Sequence, residues 1–185
     1  MRKIFVLLSH LVLSASVFSQ DAENLPADYL SKEFHAGRRD ALRHLMPSNS
    51  VAVIFAYPER IFSRDINYTF HQNPDLYYFS GYTEANSVLL IFKDQQTSSD
   101  NKKYNDLFFI QKKDSLRELW TGRRMGVAKV RSELGFDMVF NGSDFKNFPI
   151  DFSKFDKILL EDLPFTENDP TDSADLFDLV EQFKQ

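Results

Sequence analysis

The sequence predicts an α/β domain in which a mixed β-sheet is flanked by α-helices, and three observations lead there. Ser31–Met46 carries Phe34, Ala41, Leu42, Leu45 and Met46 at the 3.6-residue period, with Lys32, Arg38, Arg39 and Arg43 elsewhere around the cylinder. Next comes Val51–Ala56, a continuous apolar run that is β-branched at three of its first four positions, as expected for a strand covered on both faces. Strand-like and helix-like segments then alternate to the end of the chain, the pattern of a layered α/β fold.

Taken in order, Pro47-Ser48-Asn49 stops the first helix. Tyr57–Asn67 reads as a polar loop, and Tyr68–Gly81 is dense in aromatics and closes on the turn signal Ser80-Gly81. Ser87–Lys93 and Leu107–Gln111 are apolar runs separated by the hydrophilic stretch Asp94–Asn105, as in a surface hairpin. Asp114 is placed to cap a short helix through Leu116 and Leu119. Gly126–Leu134, closed by Gly135, reads as a further helix. Met138–Phe140 is a short strand ending at Asn141-Gly142, with Ser143 able to cap the next turn, and Lys157–Leu160 is the last strand. Leu176, Phe177, Leu179, Val180 and Phe183 mark the apolar face of a final helix, capped by Asp172 or Ser173.

The chain divides into three regions. Residues 1–19 have the layout of a secretory signal peptide: Arg2 and Lys3, an apolar stretch Ile4–Leu13, and small residues up to Ser19, with Val17 and Ser19 suiting cleavage after Ser19. The apolar stretch is about half of the roughly 20 residues needed to span a bilayer, so no membrane partner is expected. The expected location is secreted or periplasmic. Residues 27–165 form the domain, and residues 166–185 an acidic, Pro-containing linker with the start of a helix. That helix carries no stop signal before Gln185, which raises the expectation of a truncated chain.

Composition closes off several kinds of chemistry. The 185 residues include 22 Lys and Arg against 27 Asp and Glu, a net charge of −5 that becomes −7 once residues 1–19 are removed. No broad basic face is available for nucleic acid. With no Cys, disulfides, thiolate nucleophiles and Cys-ligated metals are absent. His35 and His44 stand nine residues apart on the first helix, about 180° from each other, so they cannot share a metal and read as surface or boundary imidazoles. His71 has Asp65 and Asp75 nearby in sequence, compatible with a hydrogen bond. Gly122-Arg123-Arg124-Met125-Gly126 lacks the Lys-Ser/Thr of a phosphate loop and the third Gly of a dinucleotide fingerprint. Neither a Gly-x-Ser-x-Gly elbow nor an i, i+4 His pair is present. Two aromatic clusters remain. Phe70, Tyr77, Tyr78, Phe79 and Tyr82 fall within thirteen residues, and of these Phe70, Tyr78 and Phe79 read as core filling. The only Trp, Trp120, precedes Thr121-Gly122-Arg123-Arg124 where a helix should end, which leaves at least partial exposure as open as burial.

Several of these segments together resemble the N-terminal domain of aminopeptidase P, the Xaa-Pro aminopeptidase, of the creatinase/prolidase N-terminal type. The resemblance rests on Glu33-Phe34 with Arg38-Arg39 and Leu42, Ser50–Ala56, Asp65, Tyr68–Asp75, Tyr77–Tyr82 and Glu118–Gly126, in register from about Ser31 to Leu160. It implies a mixed sheet with helices around a ribonuclease H-like motif, followed in the family by a pita-bread catalytic domain with a dinuclear manganese site of two Asp, one His and two Glu. None of those ligands, and no catalytic residue, is assigned to this chain. The resemblance gives Trp120 a role at a neighbouring subunit's active site and Asp65 one in framing the substrate entrance, hence substrate gating and a homo-oligomer acting on peptides with proline second. His71 departs from the family, which usually has Arg there, so an ion pair made by that Arg is weakened. The expected function is thus the non-catalytic domain of a secreted Xaa-Pro aminopeptidase, inactive without its catalytic partner domain. The alternative is a stand-alone secreted binding or structural module that retains the fold. A creatinase or prolidase relative is disfavoured by Leu119-Trp120-Thr121-Gly122-Arg123-Arg124.

Overall fold

A computed structural model describes residues 30–64, 66–167 and 174–185; the expected signal peptide, Asp65 and the Asp172 and Ser173 caps lie outside the described residues. Five strands form one sheet: β1 (Ser50–Phe55), β4 (Val88–Thr97), β5 (Lys103–Ile110), β6 (Val139–Asn141) and β7 (Lys157–Leu159), in the order β6-β5-β4-β1-β7. The β1–β4 and β4–β5 pairs are antiparallel, while β7 joins β1 and β6 joins β5 in parallel, so the sheet is mixed. A separate hairpin, β2 (Ile61–Ser63) with β3 (Ile66–Asn67), stands in the stretch expected to be a polar loop. Its side chains are all exposed, so it has no buried face to announce it in the sequence. The β4–β5 hairpin is also longer than expected, with pairing that shifts register after Ile91 and continues to Thr97 opposite Lys103.

Among the described residues five α-helices accompany the sheet: α1 (Lys32–Leu45), α2 (Pro74–Ser80), α3 (Ser115–Thr121), α4 (Gly126–Leu134) and α5 (Leu176–Phe183). Among the described residues none is long and apolar enough to cross a membrane. Adjacent strand residues point to opposite faces, and Phe108 and Phe109 show where each face is covered. Phe108 packs against Tyr82 and Phe136, and Phe109 against Phe145 and Phe148. Phe183 of α5 reaches Phe55 and Phe152. Asp175 caps α5 by accepting from the Asp178 N–H at 2.9 Å, and Asn141 rather than Ser143 caps the 3-10 turn Gly142–Asn147.

The inward stripe of α1 corrects the apolar face expected for it. Leu45 is exposed, whereas His35 and Arg39 are buried, at 1% and 3% exposure. The Arg39 Nε donates to Asp106 of β5 at 2.8 Å, Nη1 donates to the Phe79 carbonyl at 2.7 Å, and the guanidinium lies 4.0 Å from the centroid of the Phe136 ring. Asp106 also accepts from Arg43 at 2.6 Å. Burial pulls the Arg39 guanidinium below its ordinary pKa, against the opposing charge of Asp106. His35 Nδ1 donates to the Tyr78 carbonyl at 2.9 Å, so this imidazole is a core group and not a surface one. His44 is exposed, as expected. Gly81 ends α2 at φ 73°, and a Cβ there would sit 2.8 Å from His35 Nε2. Only glycine satisfies both conditions.

Removing one partner of a buried pair strands the other's charge, at a cost of roughly 3–5 kcal/mol. Asp106→Ala, which leaves the buried Arg39 guanidinium without its carboxylate, should therefore lower the unfolding free energy by about 3 kcal/mol or more in urea titrations, and a loss under about 1 kcal/mol would show that the pair does not hold α1 to the sheet.

Candidate functional site

Asp114 starts α3 by accepting from the Leu116 and Arg117 N–H groups at 2.9 and 3.2 Å, and these bonds hold its carboxyl below the usual pKa. The helix then carries Leu116, Leu119 and Trp120 at i, i+3 and i+4, which is one stripe. This stripe faces solvent: α3 has no buried residue, and Trp120 is 91% exposed. Gly122 ends the helix at φ 85° with open space around it, so its conformation alone calls for glycine. Beyond it, the Arg124 N–H donates to Glu118 Oε1 at 2.7 Å and Arg124 Nη1 donates to the Lys112 carbonyl at 2.9 Å. The Trp120-bearing excursion is thus tied both to its own helix and to the end of β5.

The second candidate residue from the sequence, Asp65, falls between β2 and β3 and outside the described residues. Its neighbours are described. Arg64 adopts φ 51°, and Ile61, Phe62, Ile66 and Tyr68 are exposed, with the Phe62 and Tyr68 rings edge to face at 5.1 Å. Trp120 and the hairpin are carried by separate elements, each presenting large apolar side chains to solvent. Tyr78, expected in the core, is 40% exposed, while Phe79 packs against the core and Tyr82 is fully buried.

Gln72 and Asn73 of the aromatic segment act on the scaffold. Asn73 caps α2 through the Asp75 N–H at 2.9 Å and donates from Nδ2 to the Phe55 carbonyl at 2.9 Å. Gln72 donates to the Glu84 carbonyl at 2.6 Å. His71 beside them is exposed. Glu84 itself belongs to no sequence motif, yet its carboxylate accepts from the Met125 N–H at 2.6 Å and from the Tyr82 hydroxyl at 2.8 Å. The one signal that points to it is that Glu84 is the only charged side chain between Asp75 and Lys93. Burial, and then the charge of Glu84, hold the Tyr82 phenol well above its ordinary pKa, so it stays a hydrogen-bond donor.

A cleft of about 340 Å³ opens where β7 stops pairing with β1, lined by Val53 and Phe55 and by the carboxylates of Asp75, Glu161 and Asp162. Among the described residues no group of three or more His or carboxylate side chains is placed to hold a metal ion. A dinuclear metal centre therefore does not fit the residues described, and no reaction step is assigned to them.

Comparison with known proteins identifies this arrangement. The family model described as "Aminopeptidase P, N-terminal domain" matches residues 35–157. The Xaa-Pro aminopeptidase of Escherichia coli K12 is 36% identical over 108 residues, 58% of this chain and 23% of the relative's length. Xaa-Pro aminopeptidase 3 of Dictyostelium discoideum is 34% identical over 110 residues, 60% of this chain and 20% of its own length. Among solved structures, aminopeptidase P from E. coli with the inhibitor Pro-Leu superposes with a TM-score of 0.62 at 30% identity, covering 72% of this chain and 29% of that one. Proline aminopeptidase P II from Yersinia pestis gives 0.55 at 30% identity, covering 64% and 26%. The chain spans a quarter or less of the length of the two sequence relatives.

Because the α3 stripe packs against nothing among the described residues, truncating it should leave the fold intact. Leu119→Ala and Trp120→Ala are each expected to change the unfolding free energy by no more than about 0.5 kcal/mol, checked by urea denaturation followed by circular dichroism.

Proposed function

Since the chain belongs to the aminopeptidase P N-terminal domain family, we propose that it is the non-catalytic, substrate-gating and oligomerising domain of a secreted Xaa-Pro aminopeptidase. The observation that carries this reading is Trp120, almost wholly exposed on an apolar helix stripe that has no partner within the described residues. An apolar stripe of this kind is suited to a protein surface or a ligand. An indole wall fits the proline ring of a substrate, which offers an apolar face and no N–H donor. Asp65 adds a carboxylate near the entrance that can meet the substrate's free amino group or an arginine of another domain.

In this reading residues 27–165 are the domain, residues 166–185 lead toward a catalytic domain, and that domain supplies the dinuclear manganese centre. Bound in that other domain, such a metal would supply water activation and polarisation of the peptide carbonyl. The contribution of this chain is to bind, orient and enclose the peptide, with Trp120 offered to a neighbouring subunit of a homo-oligomer. Residues 1–19 serve as the export signal, removed near Ser19.

Two measurements test the proposal. The chain alone, given manganese and a Xaa-Pro peptide, should release no N-terminal residue above background; measurable release would overturn the non-catalytic reading. In a two-domain enzyme containing this domain, Trp120→Ala should lower kcat/KM for Xaa-Pro peptides about tenfold, the size of a lost aromatic anchor of about 1.4 kcal/mol. Unchanged cleavage together with an unchanged oligomer would remove the gating role.

A further inference from the structure

The segment Lys112–Arg124 connects β5 to α4 and carries the exposed α3 with Trp120. The indole is 91% exposed, so its position depends on how firmly the two ends of this segment are joined. Glu84 bridges these two ends, the neck of the segment. Its Oε1 accepts the Met125 N–H at 2.6 Å, on the returning side. Its Oε2 accepts from Gln111 Nε2 at 3.5 Å, on the departing side, and from the Tyr82 hydroxyl at 2.8 Å, which reaches in from the core. The backbone carbonyl of Glu84 is held in turn by Gln72.

Two features make this carboxylate the natural closure. Met125 occupies the cap position of α4 with no side-chain cap of its own, so the Glu84 oxygen takes the place of a local cap. A negative charge at a helix N-terminus is favoured by the helix dipole, and bonds to a carboxylate are stronger than bonds between neutral groups. The next residue, Gly126, is at φ 70° with its missing Cβ directed 3.1 Å from Lys113 Cβ, so the two sides of the neck meet closely there.

We propose that Glu84 is a positioning residue: by joining Gln111, Tyr82 and Met125 it closes the base of the Trp120 excursion and fixes where the indole is presented. The inference rests on the reading of Trp120 as a gating residue for its biological meaning, but not for its measurement. Trp120 is the only Trp in the chain, so its fluorescence reports on the excursion alone.

The test uses the whole chain and Glu84→Ala, with Glu84→Gln and Tyr82→Phe beside it. In Glu84→Ala, amide hydrogen exchange at Met125 is expected to speed up at least tenfold, and time-resolved anisotropy of Trp120 to gain a larger fast component. Exchange across Val88–Phe92 should stay as in the parent. Glu84→Gln keeps one oxygen for the Met125 N–H and should restore part of its protection, and Tyr82→Phe should leave it largely in place. Parent-like Met125 exchange and Trp120 anisotropy in Glu84→Ala would overturn the proposal, as would loosening spread evenly over the sheet. Should Glu84→Ala not fold, the same two readouts on Glu84→Gln decide, with intermediate loosening supporting the proposal and none overturning it. None of these readouts needs peptidase activity, so a gating role lost in the two-domain enzyme and a clamp lost here are separate results.

Discussion

The fold depends on a charge placed where a charge is costly. Arg39 sits inside the layer between α1 and the sheet, and its guanidinium is tolerated there because Asp106, the Phe79 carbonyl and the Phe136 ring take up most of what water would have supplied. Each partner comes from a different element, so one side chain fixes α1 relative to β5, to the end of α2 and to the turn before β6. His35, one helical turn earlier, does the same for Tyr78, and its ring fills the space that the glycine at position 81 leaves open. The register of α1 is thereby set by directional contacts, where an all-apolar face would have tolerated sliding.

The distribution of polarity over two helices is a result of this. On α1 a partly polar stripe is turned inward, and on α3 an apolar stripe is turned outward. Phe108 and Phe109 and the rings around them already fill both faces of the sheet, so the core leaves no room for Leu116, Leu119 and Trp120. The part left outside is held by polar groups: Asp114 at the start of α3, Glu118 and Lys112 on Arg124, and Glu84 on Met125. A rigid scaffold carrying an exposed aromatic on a tied loop is a common way to present a binding group.

Periodicity makes β1, β4 and β5 legible, because Val51–Ala56, Ser87–Lys93 and Leu107–Gln111 are buried by their own apolar content. The caps at Asp114, Gly81 and Gly135 are also readable from local chemistry. The hairpin of β2 and β3 is not, since Ile61 pairs with Asn67 and Ile66 with Ser63 while Ile61, Phe62 and Ile66 all stay exposed. The inward face of α1 escapes the sequence pattern because His35 and Arg39 turn inward for partners 43 and 67 residues away, and no local pattern encodes such partners. Of the candidate site, Trp120 as a residue to single out is within reach of the sequence, while its exposure is decided only by the fold. Glu84 is marked only as a lone acid in an otherwise uncharged stretch, and nothing local says that it bonds to Met125, 41 residues on.

The partial pairing of β1 with β7 has a consequence for how the molecule meets copies of itself. Among the described residues β7 covers β1 along Ser50–Ala52 and no strand pairs with the far half on that side, which makes it the kind of edge onto which another chain's strand can zip. Asn73 occupies the Phe55 carbonyl on that edge, and Asp75, Glu161 and Asp162 surround it with negative charge. A second copy approaching edge to edge would bring the same carboxylates against these, and like charges repel. Negative charge beside this edge therefore opposes strand addition by a second copy, an opposition that added salt screens.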